Sequence, residues 1–296
     1  MDSKLIMSNL VLKFAANIST MFHEVDVLNR LDMCRRFGFT AFEAQNLYDI
    51  DIENLLAKKN GLDMVLINSP PDIKSNNTSN NNYFGYACLP GKEVEFQESL
   101  SKAIEFAKSV GCRKVHILAG LKDGSDKNEL RKTYIENLKR SALLLEKENL
   151  IGVIEPLCPE IKPNYFLDSF DDAIEYIKEV GSDHLKLLLD VFHLEMLHKD
   201  TLNLMSKFYP YAGHVQVSQA PDRDEPSAKG RIDYQKVFEL LNGYSDFIGL
   251  EYTPKSSKRF GFGVYYLDIS SISSSIGSTV KSLSFLKPCG YFTVNL

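Results

Sequence analysis

Eight short apolar runs, rich in β-branched and aromatic residues, alternate along this chain with longer stretches of helical periodicity. Strands that alternate with helices pair in parallel through right-handed crossovers, so the pattern restricts the chain to α/β architectures. Eight units over roughly 250 residues match a closed (β/α)8 TIM barrel, and an open doubly wound sheet is the alternative. No Gly-x-Gly-x-x-Gly motif follows the first run, which favours the barrel over the open sheet. The runs begin at Leu12, Phe39, Leu62, Lys114, Ile151, Leu185, Ala212 and Phe247.

The stretches between the runs carry the signals of amphipathic helices. The first predicted helix places Leu31 and Cys34 on its buried stripe and ends at Gly38, because glycine commonly ends a helix. Asp168 or Ser169 is predicted to cap the helix after the fifth strand. These signals support the alternating pattern.

Four of the runs end in a polar side chain, and these residues are the main candidates for a functional site. The carboxyl ends of parallel strands converge on one mouth of a barrel, so the four side chains are predicted to face one another. Three carboxylates in a low-dielectric pocket must take up protons or bind a cation. Oxygen-only ligands suit Mg²⁺ or Mn²⁺ better than zinc. The predicted ligands of this divalent metal are Glu155, Asp190, Gln216 and Glu251.

Each of these residues also has an ordinary structural interpretation. Asp190 could simply cap the helix that follows it. Glu155 could lie on an exposed rim, and Gln216 could be a core amide satisfied by the backbone. Glu251 is harder to explain in this way, because burying a carboxylate without a partner costs several kcal/mol.

Three further residues are candidates for binding a substrate: His193, Arg223 and His116. His193 follows Asp190 at the same mouth and could hydrogen-bond a substrate oxygen or support a ligand. His116 and His214 lie within strands, where a histidine is more often a satisfied core residue than a reactive one. Arg223 lies in the loop after the seventh strand, and a guanidinium can clamp a carboxylate with two hydrogen bonds. A solvated loop charge is the alternative for this arginine.

Composition narrows the classes of partner and the cellular location. The net charge of −5 disfavours nucleic acid, whose phosphates select for basic surfaces. No segment reaches the ~20 apolar residues that a membrane helix needs, and the N-terminus does not resemble a signal peptide. The five cysteines are scattered, without Cys-x-x-Cys spacing, which indicates reduced thiols in a cytoplasmic protein. The oligomeric state is left open, and a homo-oligomer is compatible with the sequence.

Two segments interrupt the alternating pattern. Residues 72–91 are polar and Asn-rich and follow the third strand, on the face where barrels carry active sites; they could form a lid or a plain surface insertion. After residue 254 an eighth helix is due, but residues 255–296 are serine-rich and poor in helical period. We therefore predict a barrel catalytic domain over residues 10–254 and an atypical C-terminal segment over residues 255–296 that replaces or distorts the last helix.

The order of several short motifs is similar to that of a known family. "FAANIS", "VLINSPP", "LPGKEVEF", "VHILAG", "IEP", "YFLDS", "LLLDVFH", "GHVQVSQAPDRDEP" and "GLEY" occur in this order between Phe14 and Pro254. Together they resemble the hydroxypyruvate isomerase family, one of the xylose-isomerase-like barrels, which also include ketose 3-epimerases. A series of motifs in family order is much more specific than any single motif.

The resemblance implies an isomerase that interconverts hydroxypyruvate and 2-hydroxy-3-oxopropanoate (tartronate semialdehyde). It implies that Glu155 and Glu251 form the proton-transfer pair, since a base must lie within hydrogen-bond reach of the carbon-bound proton. By analogy with the wider barrels, the four strand-end residues can hold a divalent metal, which would stabilise the enediolate. Arg223 would bind the substrate carboxylate and His193 a hydroxyl or carbonyl oxygen. The implied reaction needs no nucleotide or redox cofactor.

Several alternatives stay open at this point. A sugar epimerase or a 2-oxo-tetronate isomerase could use the same barrel, although related epimerases tend to place a histidine at the position of Gln216. A nuclease of the related DNA-repair barrels would need more zinc ligands and a basic groove. A catalytically inactive paralogue that only binds ligands is the alternative from another class, because the C-terminal segment departs from the family. Local charge departs as well, since Arg231 replaces an acidic residue and Asp222 could draw Arg223 away from a substrate.

Overall fold

A computed structural model of the protein describes residues 10–73, 83–227, 229–255, 283–285 and 291–294. Eight parallel strands follow one another around a closed barrel, because β1 pairs with both β2 and β8. The prediction of a (β/α)8 barrel is therefore confirmed. The strands are β1 (Leu10–Asn17), β2 (Ala41–Ala44), β3 (Asp63–Asn68), β4 (Lys114–His116), β5 (Ile151–Ile154), β6 (Leu185–Asp190), β7 (Ala212–Val217) and β8 (Phe247–Leu250).

Helices cover the outside of the barrel between successive strands. They are α1 (Arg30–Arg36), α2 (Ile52–Lys59), α3 (Glu93–Val110), α4 (Lys127–Lys147), α5 (Phe170–Val180), α6 (Val191–His198), α7 (Thr201–Phe208) and α8 (Tyr234–Leu240). Short 3-10 turns precede α1 at Val27–Asn29 and follow α7 at Tyr209–Tyr211. None of the described helices combines the length and apolar character that a membrane crossing requires.

Local side chains fix the helix ends where the sequence indicates them. Ser169, one of the two predicted caps, begins α5, since its Oγ accepts a hydrogen bond from the amide of Asp172 at 3.2 Å. Gly111 and Gly181 follow α3 and α5 in the left-handed conformation, with φ of 74° and 67°. The helices therefore start and stop at positions that let each following strand return to the barrel.

The alternation of side chains along β6 explains why an apolar strand ends in an acid. Leu187 and Leu189 belong to the large core between strands and helices, whereas Leu188 belongs to a separate small cluster with Leu66 and Val153. Successive strand residues point to opposite faces of a sheet, so Leu188 faces the barrel interior. Asp190, two residues further, faces the same way and reaches the C-terminal end of the barrel.

The chain after β8 returns to the barrel as strands. β10 (Tyr291–Val294) pairs antiparallel with the start of β1, from Leu10 to Lys13, and β9 (Leu283–Phe285) pairs with β10. The described residues after β8 are 251–255, 283–285 and 291–294, and none of them is helical. The replacement of the last helix by the C-terminal segment stays a prediction. The rest of the segment 255–296 lies outside the described residues, as do residues 74–82 of the predicted lid. The domain boundary at residue 254 stays a prediction.

Candidate active site

Each of the eight barrel strands presents a polar side chain at or near its C-terminal end. In strand order these residues are Asn17, Glu43, Asn68, His116, Glu155, Asp190, Gln216 and Glu251. All of them except Asn68 are buried. The parallel order of the strands brings them to one end of the barrel, which we call the mouth. The last four are the predicted metal ligands, and His116 is a predicted substrate-binding residue.

A cavity of about 170 Å³ opens at the mouth. Asp190 is the only one of the seven predicted site residues that does not line it. The six that do are His116, Glu155, His193, Gln216, Arg223 and Glu251. Phe84, Leu118, Leu157 and Ile161 supply apolar walls. Pockets for drug-sized ligands occupy roughly 300–1,000 Å³, so this cavity suits a much smaller molecule.

Arg223 bridges two of the predicted metal ligands. Its Nη2 donates to Glu251 Oε2 at 2.7 Å and to Asp190 Oδ2 at 3.1 Å. The guanidinium also lies over the ring of Phe192, 5.1 Å from its centroid, which adds a cation–π contact. Its Nε–H is buried and has no hydrogen-bond partner among the described residues. The expectation that Asp222 draws Arg223 away is wrong, because Asp222 pairs with Lys255 at 2.7 Å.

Asp190 acts both as a helix cap and as a member of the mouth. Its Oδ1 accepts a hydrogen bond from the amide of Phe192 at 2.9 Å, which begins α6. Its Oδ2 faces Arg223. Burial raises the pKa of Asp190 to about 7, although the positive charge of Arg223 opposes the shift. One oxygen of Asp190 therefore serves as the helix cap, and the other is available to the site at the mouth.

Glu251 is buried and held by three donors. Its Oε1 accepts from Gln45 Nε2 at 2.7 Å and from Asn17 Nδ2 at 3.1 Å, and its Oε2 accepts from Arg223. Burial raises the pKa of Glu251, while Arg223 acts in the opposite direction. Because all three partners are donors, this environment accommodates the carboxylate form.

Glu155 has the opposite environment. Its Oε1 is buried without a hydrogen-bond partner among the described residues. The nearest polar atoms are His116 Nδ1, 3.6 Å from Oε2, and His193 Nε2, 3.9 Å from Oε1. Burial raises the pKa of Glu155 well above its ordinary value, and the neighbouring charges of Glu251 and Asp190 raise it further. This environment favours the protonated acid.

The two histidines at the cavity are neutral and each has one nitrogen without a partner. His193 Nδ1 accepts from the amide of Cys158 at 3.0 Å, so its proton lies on Nε2 and is free to donate. His116 Nδ1 lies 3.2 Å from Asn68 Oδ1, and its Nε2 is unpartnered in the described chain. Burial lowers the pKa of His193 and lowers that of His116 to about 3.

Sequence reasoning missed four residues of the mouth: Asn17, Glu43, Gln45 and Asn68. Glu43 is fully buried at the third position of β2, and burial raises its pKa to about 7 against the hydrogen bonds from Gln216 and Asn17. An acid between Phe42 and Ala44 is the same signal that was used for the last four strands. Applied to β2, it would have identified this carboxylate.

The mouth has more buried carboxylates than cations. Four carboxylates share it: Glu43, Glu155, Asp190 and Glu251. Within the described part of the chain, Arg223 is the only Lys or Arg in ion-pair contact with any of them. Buried charges of one sign must be protonated or compensated. The excess of negative charge therefore suits a divalent cation.

The donor atoms of the mouth are also of the kind that a hard cation binds. Gln216 Nε2 donates to Glu43 at 2.7 Å, which leaves the buried Gln216 Oε1 without a partner, like Glu155 Oε1. Glu155, Asp190 and His193 place potential ligand atoms within 4.8 Å of one another. His193 is the weakest ligand of this group, because its Nε2 carries the proton. The oxygen donors fit Mg²⁺ or Mn²⁺.

Comparison with known proteins gives relatives with the same architecture. The chain is 37% identical over 255 residues to a Mus musculus protein named "Putative hydroxypyruvate isomerase", covering 82% of this chain and 90% of the relative. It is 34% identical to a 2-oxo-tetronate isomerase of Haemophilus influenzae, with 84% and 96% covered. It is 31% identical to a hydroxypyruvate isomerase of Escherichia coli, with 85% and 97% covered.

A solved structure extends the comparison to the fold. The crystal structure of a protein titled AP endonuclease, family 2, from Brucella melitensis superimposes with a TM-score of 0.76 at 30% identity. The superposition covers 83% of this chain and 94% of that one. The relatives therefore share the whole barrel and not only a part of it.

The fold and the mouth define an acid-lined (β/α)8 barrel of the isomerase type. The model of the xylose isomerase-like TIM barrel family matches residues 31–287, which continues past Pro254, where we expected the resemblance to end. The chain belongs to this family and, within it, to the group of hydroxypyruvate isomerases. The prediction of an isomerase is confirmed at this level.

Proposed function

We propose that the protein interconverts hydroxypyruvate and 2-hydroxy-3-oxopropanoate by proton transfer through an enediolate. The observation that carries the proposal is the pairing of two buried glutamates in one small cavity with opposite environments. Glu251 accepts hydrogen bonds from three donors, whereas Oε1 of Glu155 accepts none from the described residues. Carboxylates whose environments differ in this way can act as base and acid in a single reaction. The names of the relatives supply the substrate class.

Glu251 and Glu155 take different roles in the proposed reaction. Glu251 is kept as a carboxylate by Arg223, Gln45 and Asn17, so it would remove a proton from C3 of hydroxypyruvate. Burial and the neighbouring acids raise the pKa of Glu155, which favours its protonated form when no cation is bound, so it would deliver a proton to C2. In the reverse direction the two roles exchange. One proton leaves C3 and another arrives at C2. The C3 hydroxyl loses its proton as C3 becomes the aldehyde carbon, and the C2 oxygen gains one as it becomes a hydroxyl, so no proton or electron is gained or lost overall.

The other cavity residues would bind the substrate. Arg223 has a free Nε–H that can donate to the substrate carboxylate while Nη2 keeps Glu251 in place. His193 offers its Nε2–H to the carbonyl oxygen. His116 can accept from the hydroxyl group with Nε2 if its Nδ1–H donates to Asn68. These contacts would orient C2 and C3 between the two glutamates.

A divalent cation fits the same residues. Glu155, Asp190, Gln216 and Glu251 would hold it through oxygen atoms, and the predicted ions are Mg²⁺ and Mn²⁺. When bound, the cation supplies Lewis-acid stabilisation for the negative charge of the enediolate. Arg223 competes for two of these ligands, so we expect the guanidinium to contribute part of the positive charge at the mouth.

A 2-oxo-tetronate isomerase is the second candidate. It is favoured by a relative of that name that is 34% identical to this chain. The reaction chemistry is the same and the substrate is longer by one carbon. The cavity of about 170 Å³ and its apolar wall at Phe84 and Ile161 would decide which acid is accepted.

A nuclease activity is less compatible with the described site. Among the described residues one group of His, Cys, Asp and Glu side chains could hold a metal, and it contains a single histidine. The net charge of the chain is −5, and four carboxylates share the mouth. Such a surface repels the phosphate backbone of a nucleic acid.

Turnover of hydroxypyruvate and of a 2-oxo-tetronate, each with and without EDTA, tests the proposed function. We expect turnover of hydroxypyruvate that falls after EDTA treatment and returns with Mg²⁺ or Mn²⁺. A higher kcat/KM for the four-carbon acid would select the second candidate. Binding of hydroxypyruvate without turnover of either acid would contradict both and indicate an inactive paralogue.

A further inference from the structure

The proposed reaction leaves one buried carboxylate of the barrel without a role. Glu43 is fully buried and does not line the cavity. Its Oε1 accepts from Gln216 Nε2 at 2.7 Å and from Asn17 Nδ2 at 3.0 Å. Its Oε2 accepts from His214 Nε2 at 2.7 Å. A buried carboxylate is costly unless it is hydrogen-bonded, and here three donors from two other strands, β1 and β7, converge on it.

The direction of the hydrogen bond between His214 and Glu43 is fixed by a residue at the opposite end of the barrel. Lys114 Nζ lies 3.0 Å from His214 Nδ1 and 2.7 Å from Asp246 Oδ2. An ammonium group can only donate, so His214 Nδ1 must accept. Its proton is therefore on Nε2, where it donates to Glu43. Lys114 thus selects the tautomer of His214 that holds Glu43.

The backbone of β8 leaves space for the Glu43 carboxylate. A Cβ at Gly249 would lie 2.3 Å from Glu43 Oε2 and 2.5 Å from Oε1, closer than real contacts allow. Any side chain at this position would displace the carboxylate. The absence of one at residue 249 is a second observation, independent of the hydrogen bonds, that the barrel is built around Glu43.

Glu43 determines what the mouth presents to the cavity. Because Gln216 Nε2 binds Glu43, the amide oxygen of Gln216 is the atom left without a partner. Asn17 Oδ1 accepts from the amide of Ser19 at 2.9 Å, so its Nδ2 is the atom that faces both Glu43 and Glu251. The orientation of Gln216, and one of the three hydrogen bonds that hold Glu251, therefore depend on the carboxylate behind them.

We propose that Glu43 is the positioning residue of the mouth, which orients Gln216 directly and Glu251 through Asn17, and that Lys114 fixes Glu43 through His214. The inference rests on the proposed function for its kinetic consequence. Its structural part concerns the orientation of two side chains and does not depend on the substrate. Glu43 touches neither the substrate nor the reacting carbons in this arrangement.

A double-mutant cycle tests the proposal. Glu43→Gln places an NH2 group among three donors, so we expect kcat to fall by about 10- to 100-fold with a smaller change in KM. In a Gln216→Ala background we expect the fold-decrease of kcat caused by Glu43→Gln to be at least about five times smaller, because one of the groups that Glu43 positions is absent. His116→Gln is the matched control background, since His116 lies outside this network, and there the two effects should multiply. If Glu43 had a purely structural role, Glu43→Gln would lower kcat by the same factor in all backgrounds.

Lys114 provides the second pair of variants in case Glu43→Gln fails to fold. Lys114→Met removes the donor to His214, and we expect a lower kcat in the same direction. Lys114→Arg keeps a donor, so its kcat should be close to that of the wild type. Equal kcat for the two variants would contradict the role of the lysine.

A crystal structure of the Glu43→Gln variant separates this proposal from the proposed function. We expect the Gln216 amide to leave residue 43 and the Glu251 carboxylate to shift. Unmoved Gln216 and Glu251 side chains would overturn the proposal, as would an unchanged cost of Glu43→Gln in the Gln216→Ala background. If the wild-type protein does not isomerise hydroxypyruvate, the proposed function fails, and the crystal structure alone decides the positioning role.

Discussion

Charged side chains are paired differently at the two ends of the barrel. At the N-terminal end each buried or half-buried lysine has a partner: Lys114 pairs with Asp246 and Lys186 with Asp183. The acidic partners there reach solvent, with side chains 43% and 98% exposed. At the mouth, four buried carboxylates share one guanidinium, and an oxygen of Glu155 has no partner among the described residues.

The difference indicates which end carries the chemistry. Stability alone would favour the arrangement of the N-terminal end, where charges are paired or hydrated. Unpaired buried acids persist where they serve a reaction, because shifted pKa values are what acid–base catalysis needs. The contrast predicts that substitutions of the cavity glutamates affect activity more than stability, and that substitution of an exposed charge at the opposite end, such as Asp183, affects neither strongly.

The largest effect is expected from the two glutamates of the cavity. Glu155→Gln and Glu251→Gln keep the shape of the side chain but remove the proton acceptor or donor. We expect kcat to fall by about 10²–10⁴-fold, the usual contribution of a positioned acid or base, while circular dichroism shows an intact fold. Wild-type kcat in either variant would contradict the assignment of that residue.

The next effect concerns the single guanidinium of the mouth. Arg223→Met leaves Asp190 and Glu251 buried without their cation, so we expect the free energy of unfolding to fall by roughly 3 kcal/mol. We expect kcat/KM to fall as well, by about 100-fold, mainly through KM. Arg223→Lys keeps the charge but cannot contact both carboxylates and a substrate, so it should recover stability better than KM. Equal recovery of both quantities would contradict the bridging role. Urea titrations and steady-state kinetics measure the two effects.

A smaller effect is expected in the pH dependence of stability. Burial raises the pKa of Glu155 well above 4.5, so its contribution to stability is present below the unfolded pKa and is lost as the pH rises toward the folded pKa. Glu155→Gln removes this loss, so the Tm of the variant should rise relative to that of wild type as the pH increases above the unfolded pKa of the glutamate, about 4.3. One pKa unit is about 1.4 kcal/mol, which corresponds to roughly 2–4 °C. Thermal melts in EDTA measure the difference in Tm between the variant and the wild type. A difference that does not change with pH would contradict the raised pKa of Glu155.

The smallest effect is expected at the N-terminal end. Asp183→Asn removes the partner of Lys186, but the carboxylate is almost fully exposed. Exposed ion pairs contribute little to stability, so we expect neither Tm nor kcat to change measurably. This variant is also the matched control for the two glutamate substitutions, since it removes a carboxylate from the same barrel. A loss of activity here would show that an exposed charge at the N-terminal end also matters for the reaction, and it would contradict the comparison.

The fold was predictable because its signals are local. Alternating apolar and amphipathic segments specify parallel strands and covering helices, and the order of strands around a barrel follows the order of the chain. The four acidic or amide residues at the ends of β5 to β8 follow from the same logic. Glu43 is not found in the same way, because it lies inside the four-residue strand β2, between Phe42 and Ala44.

Other features of the site could not be predicted, because they depend on contacts between distant segments. Arg223 has a left-handed backbone, with φ of 54°, and its bridge joins three parts of the chain. The tautomer of His193 depends on the amide of Cys158, and that of His214 on the ammonium group of Lys114. No periodicity or motif specifies such pairings.

Isomerisation in deuterium oxide tests most directly whether the mouth moves protons between neighbouring carbons. Hydroxypyruvate is converted by the wild-type protein in D2O, and the hydrogen at C2 of the product is observed by proton NMR. Transfer by two glutamates predicts that solvent deuterium appears at C2, and that Glu155→Gln abolishes this labelling. A product formed at the wild-type rate that retains the hydrogen from C3 would show a direct shift between the carbons and contradict the account.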